Sequence, residues 1–154
     1  MAAKAFTFRR AETKEFQDLM DQVIRNAKAL GRELSKKGFR MVSGGTDSHL
    51  LLVDLREKNI TGKELEVALD KVGITVNKNM IPFDPEKPLV TSGVRIGTTA
   101  LTIKGFKEND MIQISDLINR VSIYRDDQST LEKIREEVLE ISGRFPLYNG
   151  YFQK

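Results

Sequence analysis

The sequence has no cysteine, no tryptophan and a single histidine. Without thiols it forms no disulfides and does no thiol chemistry. One histidine without cysteine also argues against a transition-metal site. No apolar run approaches the roughly 18 residues of a membrane-spanning helix. The first residues, Met1-Ala2-Ala3-Lys4-Ala5, lack the apolar stretch of a secretory signal. Charge of one sign is scarce as well. The 25 Lys and Arg against 22 Asp and Glu leave a net +3, too small and too dispersed for a nucleic-acid partner, and no aromatics interleave with the basic residues. The only adjacent lysines, Lys36 and Lys37, stand before Gly38 and read as the solvated end of a helix, where cations are favoured.

What is present suits one soluble domain with a real core: 154 residues, 40% hydrophobic and 31% charged, with no internal repeat. Phe16, Leu19, Met20, Val23, Ile24, Ala27, Leu30 and Leu34 mark one apolar face of a long helix that stops at Gly38. Ala2 to Arg9 is helical too, but has no apolar partner of its own. Phe39 to Val42 and Leu50 to Asp54 read as antiparallel strands around the tight turn Ser43-Gly44-Gly45-Thr46-Asp47. That turn lacks the lysine and following helix of a phosphate loop. Thr61 and Glu64 form a capping box for a helix ending at Gly73, and Ile74 to Asn77 reads as a third strand. The stretch Lys78 to Thr91 holds Pro82, Pro85 and Pro88 and reads as a stiff, ordered loop. Val94 to Ile96 is a fourth strand. Two amphipathic helices follow, one carrying Met111, Ile112, Ile114, Leu117, Ile118 and Val121. The other starts near Ser129, with Glu132 completing a capping box. Few strands, mostly antiparallel, with one-faced helices predict a two-layer α+β domain.

The chemistry-bearing candidates cluster between Asn77 and Thr98. On a strand, Arg95 points away from Val94 and Ile96, while Gly93 and Gly97 bare the backbone beside it. A guanidinium there suits a carboxylate held by two parallel hydrogen bonds. Spacing alone favours the plainer reading, an exposed or internally paired arginine. Asn77 and Asn79 offer donor and acceptors to an amide-bearing heterocycle, although asparagine is also a common strand-end residue. His49, close after Asp47, reads as a structural hydrogen-bonding group at a strand entrance rather than a catalytic base.

Together these segments resemble serine (glycine) hydroxymethyltransferases. The matching residues are Val42-Ser43-Gly44-Gly45-Thr46-Asp47 with His49, Leu52-Val53-Asp54-Leu55, Thr61-Gly62-Lys63 and Gly73-Ile74-Thr75-Val76-Asn77-Lys78-Asn79. Ile81-Pro82-Phe83-Asp84-Pro85, Thr91-Ser92-Gly93-Val94-Arg95-Ile96-Gly97-Thr98 and Lys104-Gly105-Phe106 continue the run in order. The last helix and the tail Phe145-Pro146-Leu147-Tyr148 are similar to bacterial members.

The resemblance implies the small C-terminal α+β domain of the aspartate-aminotransferase-like fold, the type I fold of pyridoxal phosphate enzymes, with a short, mostly antiparallel sheet covered by helices. It implies one domain over residues 1–154, with 1–10 as the stub of an interdomain helix and 126–154 as the C-terminal helix and tail. The family interconverts serine plus tetrahydrofolate with glycine plus methylene-tetrahydrofolate, using pyridoxal phosphate bound to a lysine. By the resemblance, Arg95 grips the substrate carboxylate and Asn79 hydrogen-bonds the folate pteridine. Lys87, Pro88 and Leu89 lie on a loop that approaches the folate, with Leu89 where many members have Phe. The segment bearing the family's cofactor lysine is not in this sequence, so the expectation is a fragment of a cytoplasmic one-carbon enzyme that is inactive alone. Homodimers or homotetramers are the family's assemblies, and self-association of this chain through uncovered apolar surface is expected. The rival reading is a stand-alone binding or scaffold module on the same domain.

Overall fold

The structure, a computed structural model, describes residues 1–146. The parts of the C-terminal helix-and-tail region beyond Pro146, Leu147 and Tyr148 included, lie outside the described residues. Two helices open the chain, α1 (Ala2–Ala11) and α2 (Lys14–Lys36). Thr13 caps α2, its hydroxyl accepting the N–H of Phe16 at 3.3 Å. Lys36 then pairs with Glu33 at 2.6 Å, and Lys37 reaches Asp116 at 3.3 Å. The lysine pair is therefore not simply solvated; one member ties α2 to a later helix. Gly38, at φ +81°, provides the left-handed turn that ends the helix.

Strands β1 (Arg40–Met41), β2 (Leu50–Asp54), β3 (Asn77–Asn79) and β4 (Gly93–Gly97) form one sheet in the order β1-β2-β4-β3. Every neighbouring pair is antiparallel. Helix α3 (Gly62–Lys71) follows β2 and starts with the expected reciprocal Thr61–Glu64 capping box. After β4 come α4 (Thr99–Lys104), α5 (Glu108–Ile123) and α6 (Gln128–Gly143). The protein is α+β with a small antiparallel sheet, as its patterning predicts.

Two expectations shift, and one helix was not foreseen. The third strand lies at Asn77–Asn79, not at 74–77. The N–H of Ile74 is still engaged by the end of α3, bonding Leu69 O at 2.9 Å, so strand pairing starts only at Asn77 opposite Arg95. The cap of α6 is Asp127, whose carboxylate accepts the N–H of Ser129 and Thr130 at 3.1 and 3.2 Å. Glu132 instead accepts from the Gln128 side chain at 3.1 Å. Helix α4 is too short to have a legible periodicity.

The helices cover one face of the sheet. Met41, Leu51, Val53, Val94 and Ile96 point into a core shared with Leu30 and Leu34 of α2, Leu65 and Leu69 of α3, and Met111 and Ile118 of α5. Each fully buried leucine contributes about 1.5–3 kcal/mol. A buried polar link holds α2 to the α4–α5 junction. Asn26 Nδ2 donates to Thr102 Oγ1 and to Phe106 O, both at 2.9 Å, and its Oδ1 accepts from Gln22. Two apolar surfaces are left partly uncovered. Phe16, Leu19, Met20 and Ile24 on the first half of α2 are only half-buried. Helix α1 buries none of its residues, and Phe6 and Phe8 stand 70% and 69% exposed.

Candidate functional site

Alternation along the strands sorts the sheet into two faces. The register sets Leu52, Arg95 and Asn77 side by side on the face away from the helices. Asp54, Gly93 and Asn79 form the next row. Arg95 therefore stands in the middle of the open face, on an inner strand, with Asn77 directly opposite at about 5 Å between Cβ atoms. Asn79 is its diagonal neighbour. Among the described residues no carboxylate pairs with Arg95, and its side chain is exposed. Of the two forms of the plainer sequence reading, the fold gives the exposed arginine and not the internally paired one.

The other charges on this face are satisfied. Asp54 is buried, and its carboxylate takes Arg40 Nη1 at 2.7 Å and Arg56 Nη2 at 2.8 Å. The Arg56 hydrogen bond, opposed by burial and helped by Arg40, holds the Asp54 carboxyl below its ordinary value. This cluster sets one carboxylate against two guanidiniums and leaves Arg95 as the cation of this face with no carboxylate partner among the described residues. Beside Arg95 a shallow recess of about 210 Å³ is bordered by Leu50, Thr75, Asn77 and Gly97. It is smaller than the roughly 300–1,000 Å³ of sites for drug-sized ligands, and of a size for an amino acid. A larger depression of about 900 Å³ lies between α2 and the 43–47 turn. Lys28 and Lys36 there pair with Asp47 at 3.1 Å and with Glu33, while Arg32, which also borders it, has no carboxylate partner among the described residues; the recess at Arg95 differs in setting its cation beside an asparagine, Asn77, on a rigid sheet.

The flanking glycines have different reasons. A Cβ on Gly93 would lie 2.6 Å from Ile81 Cγ2 and 2.8 Å from Val53 O. Close packing of the chain itself, not the approach of a ligand, demands that glycine. At Gly97 a Cβ would meet the flexible end of Leu50, Cδ2 at 3.3 Å, and His49 O at an ordinary 3.9 Å, so the chain itself does not demand glycine there. Asn79 is half-buried, and its Nδ2 donates to Met80 O at 2.6 Å, so its Oδ1 and second N–H remain for another partner. Lys87, Pro88 and Leu89 form an exposed turn in which Lys87 O accepts the N–H of Val90 and Thr91 at 2.9 and 3.0 Å. Met80, Phe83 and Leu89 leave apolar side chains exposed on the same loop.

Three residues without a sequence-assigned role shape this region. Gly62 opens α3 against the segment before β4: its N–H reaches Thr91 O at 2.8 Å, and a Cβ would lie 2.1 Å from Thr91 Oγ1. Asp84 and Ser92 bond each other across the proline loop at 2.6 Å. The readable signal was Asp84 ahead of Pro85, a residue type that folds turns back on themselves. His49 departs from expectation. Its ring is exposed, and the group in use is its backbone carbonyl, which accepts the Thr98 N–H at 3.1 Å.

The donor set fits a carboxylate at Arg95 and an amide-bearing ring at Asn79. It does not by itself fit pyridoxal phosphate, whose aldehyde needs an amine. Lys78, the one lysine in the sheet, points to the helix side, where its Nζ pairs with Glu66 at 2.9 Å. Lys104 donates to Ser142 Oγ at 2.7 Å. None of the helices among the described residues is long and apolar enough to cross a membrane. The family model for serine hydroxymethyltransferase matches residues 1–118, a span that includes all four strands and the proline loop.

Proposed function

The chain belongs to the serine hydroxymethyltransferase family, and on that premise we propose that it forms the small C-terminal domain of such an enzyme, with residues 1–10 as the stub of the interdomain helix. The reaction moves the hydroxymethyl carbon of serine to tetrahydrofolate and leaves glycine. Pyridoxal phosphate serves as the electron sink when bound. In this reading the lysine and the cofactor pocket belong to residues outside this sequence, and the chain alone is inactive. Its part is to bind and orient. Arg95 takes the amino-acid carboxylate in a two-point grip, which fixes the rotation of the substrate about its α-carbon as well as its place. Asn79 takes the pteridine, and the Lys87–Leu89 turn lies along the folate.

The observation that carries the reading is Arg95, exposed on an inner strand at the centre of the open sheet face and without a carboxylate partner among the described residues. The uncovered side of that face, the bare loop residues Met80, Phe83 and Leu89, and the exposed Phe6 and Phe8 support a second body packed there in the intact enzyme.

Steady-state kinetics of the intact enzyme test it. Arg95→Ala loses two charge-assisted hydrogen bonds, about 3 kcal/mol or a hundredfold in serine binding, and leaves tetrahydrofolate binding nearly unchanged. Asn79→Ala does the reverse, weakening tetrahydrofolate by about tenfold and serine little. Unchanged KM values in both variants contradict the assignment.

A further inference from the structure

One carboxylate closes the neck of the loop that joins the two halves of this site. Strand β3 ends at Asn79 and β4 begins at Gly93, so residues 80–92 connect two adjacent antiparallel strands. Asp84 sits within that loop, half-buried. Its Oδ2 accepts the N–H of Ile81 at 3.1 Å and the N–H of Ser92 at 2.9 Å. Its Oδ1 accepts the Ser92 hydroxyl at 2.6 Å and the N–H of Glu86 at 2.9 Å. Burial works to raise the Asp84 pKa, but these bonds, the Ser92 hydroxyl first, outweigh it and hold the carboxyl at about 2. Ile81 follows Asn79 by two residues, and Ser92 precedes Arg95 by three. The backbone between them is strained. Thr91 sits at φ +61°, a left-handed conformation that a β-branched residue keeps only where its surroundings over-determine it. Its N–H is bound to Lys87 O, its carbonyl to Gly62 N–H, and its hydroxyl donates to Gly93 O at 3.1 Å.

We propose that Asp84 is a positioning residue: through Ile81 and Ser92 it fixes Asn79 and the Lys87–Leu89 turn at one spacing from Arg95, so that the folate end and the amino-acid end of the site move as one piece. This rests on the reading of Arg95 and Asn79 given above. Asp84 touches neither substrate. An Asp84→Asn amide places its NH2 either against the N–H groups of Ile81 and Ser92 or against the N–H of Glu86 and the Ser92 hydroxyl, so whichever way it is turned at least one backbone donor loses its acceptor and the neck cannot close as before.

In the intact enzyme, Asp84→Asn raises KM for tetrahydrofolate and for serine together and lowers kcat, each by about tenfold, because small misplacements of the reacting groups are costly. Ser92→Ala removes one of the four donors without touching the backbone and gives the same joint pattern at a few-fold. A fall in melting temperature with both KM values and kcat unchanged shows a merely structural role and overturns the proposal. If Asp84→Asn does not fold, Ser92→Ala alone decides on the same criterion. Arg95→Ala and Asn79→Ala are measured beside them. If those two leave KM unchanged, the site reading falls and takes this inference with it. If they raise KM while the Asp84 and Ser92 variants do not, only the inference falls.

Discussion

Arg95 is available because its neighbours are occupied with one another. Asp54, the nearest buried carboxylate on its face, is spent on Arg40 and Arg56. Asp84 is spent on four donors within its own loop. Both acids are held ionised by their partners, so neither is free to neutralise Arg95. The Asp84 environment has a signature in acid. Its folded pKa of about 2 lies below the ordinary 3.8, so it contributes stability that is fully present above the unfolded value. That contribution is lost as the pH falls from about 4 toward 2. Thermal melts across this window should show the gap in melting temperature between wild type and Asp84→Asn shrinking as acid is added. A gap that stays constant contradicts the hydrogen-bonded carboxylate. At this scale the sequence showed which residue types matter but not their partners. Arg95 between two glycines was legible; that Gly93 is demanded by Ile81 and Val53 rather than by a ligand was not, because those contacts come from strands distant in the chain.

Elements with a long apolar period were legible nearly to the residue. Helix α2 and strand β2 lie where their side-chain spacing sets them, because 3.6-residue and alternating patterns are written locally. The errors fall where a neighbouring element competes for a hydrogen bond. Ile74 and Val76 alternate like strand residues, yet Ile74 is claimed by the end of α3, and the strand starts three residues late. Ser129 and Glu132 have the spacing of a capping box, yet Asp127 reaches the free N–H groups first and also takes both hydroxyls, Ser129 at 2.8 Å and Thr130 at 2.6 Å. The two caps are separable by mutation. Asp127→Ala should lower the melting temperature at neutral pH, while Glu132→Ala should leave it unchanged within error. Equal losses, or the opposite order, would show that the sequence pattern rather than the Asp127 geometry sets the start of α6.

For the whole molecule, the helices finish one side of the sheet and leave the other carrying the candidate site. Exposed apolar residues include Phe6 and Phe8 on α1 and Met80, Phe83 and Leu89 on the 80–92 loop, and the first turns of α2 add half-buried ones. A surface of that kind is ordinarily covered, and the chain by itself should associate with concentration in sedimentation. A clean monomer at high concentration counts against a missing covering body. We propose, more narrowly, that this face holds the amino-acid substrate by its carboxylate. A crystal structure of the intact enzyme with glycine bound tests it most directly. Both carboxylate oxygens should lie about 2.7–2.9 Å from the guanidinium nitrogens of Arg95. A carboxylate held by other groups, with Arg95 still turned to solvent, would contradict it.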